Sequence, residues 1–416
     1  MHPSRIDRAA CRQADATDPL AHVRDEFVLP DGVTYLDGNS LGPPPRDAER
    51  RLREMATVEW GQGLVRSWND AGWFDKPLAL GDRVAPLIGA DPGEVVVCDS
   101  TSVNLFKVVL AALALRPGRT AVVAESGSFP TDLYVTEGAA GLLGGYEHRL
   151  IAEGGPALAD VLDDDVAVVL LSQVDYRTGR LLDMAALTER AHRHGVLVVW
   201  DLCHSAGALP VAVNDAGVDF AVGCTYKYLN GGPGAPAFLF AAARHQDAAR
   251  NPVPGWHGHA DPFAFTTAYR PAAGVARFRT GTPPMLSYAP LEASLDLWQR
   301  VDLAAVRDKS LRLTDLFIQL VDQECAGLGL EVASPRDAAQ RGSQVAVRHE
   351  HGYAVMRALI ERGVIGDFRA PDLMRFGFTP LYLRYADVWD AVQVLREVLR
   401  AELWRDERYA VRATVT

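Results

Sequence analysis

The chain has 416 residues, of which 48% are hydrophobic and 23% charged, and its formal net charge is −11. This length and composition are typical of a soluble globular protein with a large core divided into a major and a minor domain. The negative charge argues against general binding to nucleic acid or to acidic membranes.

Targeting and metal-binding patterns do not stand out in the sequence. No apolar run approaches the ~18 residues of a membrane span, and the first 20 residues lack the apolar core of a secretory signal. The five cysteines are scattered and lack the spacing of metal ligands. Free thiols of this kind are typical of a reducing compartment, so we expect a cytoplasmic protein without a bound metal.

From about residue 95 to 240, short β-rich runs alternate with helical patterns. Uninterrupted Val, Leu and Ala runs favour strands that are buried on both faces, as in a mostly parallel sheet covered by helices. Between two of the runs, MAALTERAHRHG has helical spacing and stops at Gly195, which completes a βαβ unit. The predicted strands are VVVCDS (95–100), TAVVAES (120–126), VAVVLLSQV (166–174), VLVVWD (196–201), FAVGCTY (220–226) and PAFLF (236–240).

A Pro- and Gly-rich stretch over 251–284 ends this pattern, and residues 285–325 predict one long connecting helix. A smaller α+β unit follows, with strands near SQVAVRH and MRFGFTPLYL and helices over YAVMRALIERG and ADVWDAVQVLREVLRAELW. The sequence therefore predicts an α/β large domain over 51–325 and a small C-terminal α+β domain over 326–416. We expect residues 1–50 to pack on the small domain.

Polar residues directly after the apolar runs are the first candidates for a site, because open α/β sheets bind ligands beyond the carboxyl ends of their strands. Asp201 and Lys227 each close such a run. Desolvation favours the neutral, nucleophilic form of a lysine, and a carboxylate can keep a pyridine nitrogen protonated. This pair fits a pyridoxal 5′-phosphate (PLP) site. The alternatives are that Asp201 only caps the following turn and that His204 is a buried, hydrogen-bonded histidine.

A phosphate site could accompany this pair. Ser100, Thr101 and Ser102 precede the helical run VNLFKVVLAALAL, and a helix start of this kind can bind an anion, although a plain Ser/Thr cap fits equally well. In SFPTD (128–132), Phe129 could cover a ring and Asp132 could accept a ring hydrogen bond, although the segment alone is only a turn with a proline. No G-x-G-x-x-G follows the early strands, which disfavours an NAD-binding fold.

These segments resemble the kynureninase family, in the same order and over nearly the whole chain. The resemblance implies a PLP fold type I large domain and a homodimer whose active sites are shared between subunits. It also implies hydrolysis of L-kynurenine, and possibly of 3-hydroxykynurenine, to anthranilate and L-alanine by Cβ–Cγ cleavage, in tryptophan catabolism or synthesis of NAD precursors. The segments are YLDGNSLGPPP (35–45), STSVNLFKVVL (100–110), FPTDLYV (129–135), WDLCHSAGALP (200–210), GCTYKYLNGGPG (223–234) and MRFGFTPLY (374–382).

Position by position, the resemblance makes Lys227 the Schiff-base lysine, Asp201 the partner of the pyridinium and Tyr226 a proton donor. For the substrate, it gives Arg375 as the arginine that binds the α-carboxylate, together with Trp68 and Ser40. The cofactor-binding residues that it implies are Thr101, Ser102, Phe129, Pro130, Thr131, Asp132, Ser172, Asp201, His204, Tyr226 and Lys227, with Trp256 and Thr282 supplied by the partner subunit.

Some alternatives stay open at this point. Arg375 could be a surface residue of an alternating strand, and Trp68 could be a core tryptophan. Cys203 and His257 depart from the family pattern, but neither departure puts the activity in doubt.

Two rival functions fit the sequence less well. A cysteine desulfurase on the same fold needs a cysteine in a mobile loop, whereas Cys203 and Cys224 lie on or beside predicted strands and Cys325 in a predicted helix. An inactive PLP-fold protein, used for binding or regulation, is disfavoured because every charged group that the chemistry needs is present.

Overall fold

The computed structural model describes residues 5–152, 155 and 157–412. Within these ranges no helix has both the length and the apolar character needed to cross a membrane.

The helices are α1 (Arg8–Ala16), α2 (Arg46–Glu54), α3 (Ser67–Asp70), α4 (Lys76–Ile88), α5 (Thr101–Ala114), α6 (Pro130–Leu143), α7 (Leu158–Val161), α8 (Met184–Arg193), α9 (Ala243–Gln246), α10 (Met285–Trp298), α11 (Leu303–Glu324), α12 (Gly352–Glu361) and α13 (Tyr385–Arg400). The strands are β1 (Thr34–Tyr35), β2 (Val95–Val97), β3 (Ala121–Glu125), β4 (Glu147–Ile151), β5 (Val166–Ser172), β6 (Leu197–Asp201), β7 (Phe220–Gly223), β8 (Phe238–Ala241), β9 (Glu331–Val332), β10 (Gln344–Arg348), β11 (Val364–Ile365), β12 (Asp367–Arg369) and β13 (Leu373–Gly377).

A seven-stranded sheet in the order β2-β8-β7-β6-β5-β3-β4 forms the centre of the large domain. The strands from β4 to β7 pair in parallel, and only β8 runs against its neighbours. Because the Val- and Leu-rich strands are buried on both faces, apolar side chains pack above and below the sheet in two separate clusters. The predicted fold class, a mostly parallel sheet covered by helices, is confirmed.

Two details differ from the sequence prediction. The edge strand β4 was not predicted, because its residues EHRLI form no apolar run and lie partly in solvent. The prediction of one long helix over 285–325 is wrong: α10 ends at Trp298, and α11 begins after Asp302, whose side chain accepts a hydrogen bond from the Ala304 N–H. Such a cap satisfies a free N–H of the first turn, so the chain starts a new helix there.

The C-terminal part contains a four-stranded antiparallel sheet in the order β12-β13-β10-β9. The N-terminal segment lies against it: β1 pairs in parallel with β11, and Arg8 forms a bidentate ion pair with Asp390 of α13. The predicted domain boundaries at residues 50 and 325 stay a prediction.

Three parallel strands end side by side and define one edge of the large sheet. Ser172 at the end of β5 is in register with Asp201 at the end of β6, and β7 ends at Gly223, shortly before Lys227. The fold therefore places the polar residues that follow these strands at one edge.

Candidate active site

Two carboxyl groups meet at the end of β5 and β6. Asp132, in the first turn of α6, is buried and accepts a hydrogen bond from Ser172 Oγ at 3.2 Å. The backbone N–H of Cys203 donates to Asp201 Oδ1 at 2.7 Å. Burial and the neighbouring charge of Asp201 raise the pKa of Asp132 well above its ordinary value. Burial beside a second carboxyl group thus favours the protonated form of Asp132.

Lys227 lies beside a buried histidine. Its Nζ is 2.9 Å from His204 Nε2, and His204 Nδ1 is 3.1 Å from Gln344 Oε1. Burial and the charges of Lys227 and Arg375 hold the pKa of His204 well below its ordinary value, so the imidazole is neutral. His204 is thus a buried, hydrogen-bonded histidine, as the alternative interpretation of the sequence stated. Its hydrogen-bond partner is the candidate catalytic lysine.

Aromatic rings surround the lysine amine. Lys227 Nζ lies 6.0 Å from the ring centroid of Phe129 and 6.0 Å from that of Tyr226. Burial raises the pKa of the Tyr226 phenol, which therefore keeps its proton. The Tyr226 carbonyl accepts a hydrogen bond from Gly42 N–H at 2.8 Å, and a Cβ at Gly42 would lie 2.3 Å from the carbonyl oxygen of Lys227. Only glycine lets the N-terminal segment pack this closely on the lysine segment.

The start of α5 lies near the end of β6 and has the groups that could hold an anion. Ser100 caps the helix by accepting from Val103 N–H, so the hydroxyls of Thr101 and Ser102 are not needed for the cap. Thr101 Oγ1 lies 3.7 Å from Cys203 Sγ, which places this helix start beside the end of β6. N–H groups of the first turn have no partner within a helix and attract phosphate.

These residues fit PLP. The buried carboxyl groups of Asp132 and Asp201 would hold a protonated ring nitrogen. Lys227 offers an amine for the aldehyde, Phe129 a ring face, and Thr101 with Ser102 a phosphate cradle. Perturbed carboxyl and imidazole groups gathered at one sheet edge are typical of a catalytic site.

Arg375 is buried in β13, which rules out the surface alternative. Its Nε donates to Asp367 Oδ1 at 2.7 Å and its Nη2 to Asp367 Oδ2, while Nη1 donates to the carbonyl oxygen of Tyr176. Ser40 Oγ donates to Asp367 Oδ2 at 2.7 Å and accepts from Arg375 Nη2 at 3.2 Å. Asp367 thus occupies one edge of the guanidinium. At the Nη1–Nη2 end, Nη1 keeps one N–H without a partner among the described residues, and Nη2 donates its second N–H to Ser40.

The net charge around this arginine depends on the protonation of Asp37. Arg369 forms a second ion pair with Asp367 at 2.8 Å. Burial and the charge of Asp367 raise the pKa of Asp37 to about 7, so near neutral pH this carboxyl is partly protonated. With Asp37 neutral, two arginines face one carboxylate, which leaves one positive charge for an anionic group.

Trp68, Trp256 and His257 form a separate aromatic cluster with Phe74. The Trp68 and Trp256 rings meet edge to face at 5.5 Å, and Trp256 stacks on His257 at 5.0 Å. Trp68 is half-buried, so it is not a core tryptophan, and Thr282 is exposed. Among the described residues, no hydrogen bond, ion pair or ring contact joins this cluster to Lys227.

Three site residues were not found from the sequence: Tyr176, Gln344 and Asp367. Tyr176 follows β5 and its ring contacts Phe129 at 5.1 Å, so the rule that polar residues after a strand face the site could have found it. Asp367 is the cross-strand partner of Arg375 in the β12–β13 pair. Gln344 comes from the C-terminal sheet, and no local pattern connects it with His204.

The comparisons with known proteins identify relatives over the full length. The family described as "Kynureninase C-terminal domain" matches residues 306–395. A protein from Burkholderia pseudomallei (strain 1106a), named "Kynureninase", is 53% identical over 408 residues, which cover 97% of this chain and 98% of that protein. Another "Kynureninase", from Pseudomonas fluorescens, is 51% identical and covers 98% of this chain and 99% of its own length. Among solved structures, the cysteine desulfurase CsdA from Escherichia coli has a TM-score of 0.77 at 18% identity, covering 92% of this chain and 98% of its own, which shows a shared fold.

Proposed function

The chain belongs to the kynureninase family, whose members are PLP-dependent hydrolases of carbon–carbon bonds, and we propose that it converts L-kynurenine to anthranilate and L-alanine. The observation that carries this proposal is the meeting of Lys227–His204 and Asp132–Asp201 at one sheet edge, with Arg375 nearby through Tyr176. We further propose that 3-hydroxykynurenine is a second substrate, and that the reaction belongs to tryptophan catabolism or to synthesis of NAD precursors.

PLP, when bound, supplies an electron sink for the electrons released at the substrate α-carbon. Asp201 is proposed to keep the ring nitrogen protonated. Asp132, which accepts a hydrogen bond from Ser172, is proposed to hold the Asp201 carboxylate in position. Pro130 and Thr131 hold Phe129 and Asp132 in position at the start of α6. Thr101 and Ser102 bind the phosphate at the start of α5.

Lys227 is proposed to hold the cofactor and then to take the proton from the substrate α-carbon. His204 accepts a hydrogen bond from its Nζ and so fixes the direction of the amine. The Tyr226 phenol, which keeps its proton, is the proposed donor of a proton to the fragment that leaves as alanine.

The substrate α-carboxylate is proposed to bind Nη1 and Nη2 of Arg375 beside Ser40, where it takes over the Nη2 N–H that donates to Ser40 Oγ. Asp367 holds the other edge of the guanidinium and prevents its rotation. Arg375→Lys keeps the charge but loses this fork, so we expect the KM for kynurenine to rise about 30- to 1000-fold. The absorbance of the lysine-bound cofactor should persist, and Arg348→Lys, at a half-exposed arginine of β10, is a matched control.

The direct test is to incubate the PLP-loaded protein with L-kynurenine and with 3-hydroxykynurenine in parallel. We expect anthranilate and alanine in equal amounts from the first substrate, and the hydroxylated product from the second. An unchanged kynurenine concentration, with PLP demonstrably bound, would favour an inactive binding protein instead. We propose that Trp68, in the aromatic cluster, contacts the aryl group of the substrate. A Trp68→His variant should therefore change the ratio of the two rates more than it changes the melting temperature.

We also propose a homodimer in which Trp256 and Thr282 complete the cofactor site of the partner subunit. This assignment is supported by the partial exposure of Trp256 and the exposure of Thr282 in one chain. Mixing a Lys227→Ala protein with a Trp256→Ala, Thr282→Ala protein should restore part of the activity through hybrid dimers. If activity does not return despite measured subunit exchange, each site is built from one chain.

A further inference from the structure

Gln344 connects the C-terminal sheet to the candidate catalytic lysine. It is the first residue of β10 and is 0% exposed. Its Oε1 lies 3.1 Å from His204 Nδ1, and its Nε2 donates to the carbonyl oxygens of Tyr176 at 2.9 Å and Asp175 at 3.3 Å. His204 in turn meets Lys227 Nζ at 2.9 Å. A continuous chain of hydrogen bonds therefore runs from the small sheet to the lysine amine.

The partners of Gln344 determine which way its amide points. Carbonyl oxygens can only accept hydrogen bonds, so the group that faces Tyr176 and Asp175 must be the NH2 of the amide. The amide oxygen then faces His204 Nδ1 and, because it too can only accept, this ring nitrogen must carry a proton. In a neutral imidazole the other nitrogen, Nε2, is an acceptor, and Lys227 Nζ is the donor of their shared hydrogen bond.

The turn that offers the two carbonyls is fixed against Gln344. Asp175 Oδ1 accepts from Thr178 N–H at 2.6 Å and from Thr178 Oγ1 at 2.8 Å, which closes the turn. Gly179 has a φ of +74°, and a Cβ there would lie 2.9 Å from Gln344 Cγ. If the Gln344 amide rotated by half a turn, its NH2 group would lose both hydrogen bonds to the carbonyl oxygens. The loop at 175–179 packs too closely on the Gln344 side chain to move with it.

We propose that Gln344 is a positioning residue that keeps the His204 proton on Nδ1, so that Nε2 accepts from Lys227 and directs its amine towards the reacting centre. That Lys227 is the catalytic lysine rests on the proposed function. Tyr176 extends the arrangement, because its carbonyl accepts from both Gln344 Nε2 and Arg375 Nη1. The Tyr176 carbonyl thus positions both Gln344, which orients the lysine through His204, and Arg375, which is proposed to bind the substrate carboxylate.

The first test reads the tautomer directly, by nitrogen NMR of the holoenzyme labelled with 15N-histidine. The signals of His204 are assigned with a His204→Gln variant. We expect Nδ1 protonated and Nε2 unprotonated in the wild type, and a proton shifted wholly or partly to Nε2 in Gln344→Met, which removes the acceptor while keeping the side-chain length. Protonation of Nε2 in the wild type, or an unchanged tautomer in Gln344→Met, overturns the proposal. The wild-type result decides even if the variant does not fold.

A matched control separates this effect from the loss of a buried amide. Gln246 is also buried, and its Nε2 donates to the carbonyl oxygens of Gly93 at 3.0 Å and Ala241 at 2.9 Å, outside the site. Gln246→Met should reduce thermal stability without changing the His204 signals. A His204 signal that moves equally in both variants would show a general effect of unfolding and would overturn the proposal.

The second test follows the absorbance of the lysine-bound cofactor against pH, without substrate. Gln344→Met should lower the titration midpoint, because Nε2 no longer accepts a proton shared with the lysine nitrogen. The shift is expected to be about 0.5 to 1 pH unit, the size of one hydrogen bond. A midpoint that rises or does not move in Gln344→Met contradicts the proposal. Because neither test uses kynurenine, failure to cleave kynurenine would count only against the proposed function.

Discussion

Two buried carboxylates stand at opposite ends of neighbouring strands of the large sheet. Asp219 precedes β7 at one end, and Asp201 closes β6 at the other. Asp219 accepts hydrogen bonds from His192 and His245 at 2.8 and 2.7 Å, from Arg244 at 2.7 Å and from Val198 N–H at 2.8 Å. Asp201 instead meets a second carboxyl group, that of Asp132.

The two environments affect the carboxyl groups in opposite directions. Although burial alone would raise it, the hydrogen bonds from His192 and His245 hold the pKa of Asp219 well below its ordinary value. At the other end, burial and the charge of Asp201 raise the pKa of Asp132. Asp219 has its hydrogen-bond donors and cationic partners within the chain, whereas the Asp132–Asp201 pair is proposed to hold the protonated ring of the cofactor. Substitutions at the two ends should therefore separate stability from activity.

The largest expected effect is that of Lys227→Ala. This variant should lose both the absorbance of the lysine-bound cofactor and measurable turnover, because it removes the amine that forms the covalent link. Borohydride reduction followed by peptide mapping should label Lys227 in the wild type. The control is Lys309→Ala: Lys309 is buried but paired with Asp18 at 2.6 Å, so its loss should reduce stability and leave the absorbance. Labelling of Lys76, Lys107 or Lys309 would contradict the assignment.

Asp201→Asn should come next, with turnover reduced by at least ~10²-fold, on the scale of a lost charge partner in a buried site. The fold should persist, since the amide oxygen can still accept from Cys203 N–H. PLP content, melting temperature and turnover measured on one preparation check this. Near-normal turnover would rule out the role given to Asp201.

Asp219→Asn is the matched change at the opposite end, and it should act on stability instead. We expect a loss of about 2 kcal/mol in the free energy of unfolding, below the cost of breaking a fully buried ion pair, because Arg244 and His192 reach solvent. Since the folded pKa of Asp219 is depressed, its contribution is present above about pH 4 and is lost as pH falls below that value. Denaturant unfolding should therefore show the difference from wild type narrowing in acid. A constant difference at all pH values would mean that the charge of Asp219 is not its source.

The sequence predicted the Asp201 end of the large sheet better than the Asp219 end. Apolar runs such as VLVVW mark strands buried on both faces, so the residues that close them, Asp201 and Lys227, could be placed at one edge by topology alone. The Asp219 cluster could not be predicted, because its two histidines lie on separate helical segments and only the fold brings them together. Gln344 was missed for the same reason. Asp367 could have been found by treating residues 367–377 as a strand pair, in which it faces Arg375.

The smallest effect is expected for Asp132→Asn, and it tests the difference between two carboxyl groups in one pair. Because burial and the charge of Asp201 raise the pKa of Asp132, the protonated side chain is favoured, and asparagine reproduces that neutral form. Its amide can donate to Asp201, as the carboxylic acid does, and its oxygen can accept from Ser172 Oγ. Turnover should therefore fall by no more than about tenfold, the equivalent of one neutral hydrogen bond.

A raised folded pKa of Asp132 also means that the wild type loses stability as pH rises above about 4, so Asp132→Asn should be more stable than wild type at neutral pH. Asp132→Ala removes both hydrogen bonds and should be worse in turnover and stability. If Asp132→Asn instead reduces turnover as much as Asp201→Asn does, Asp132 is ionised in the working enzyme, and the proton lies on the ring nitrogen of the cofactor.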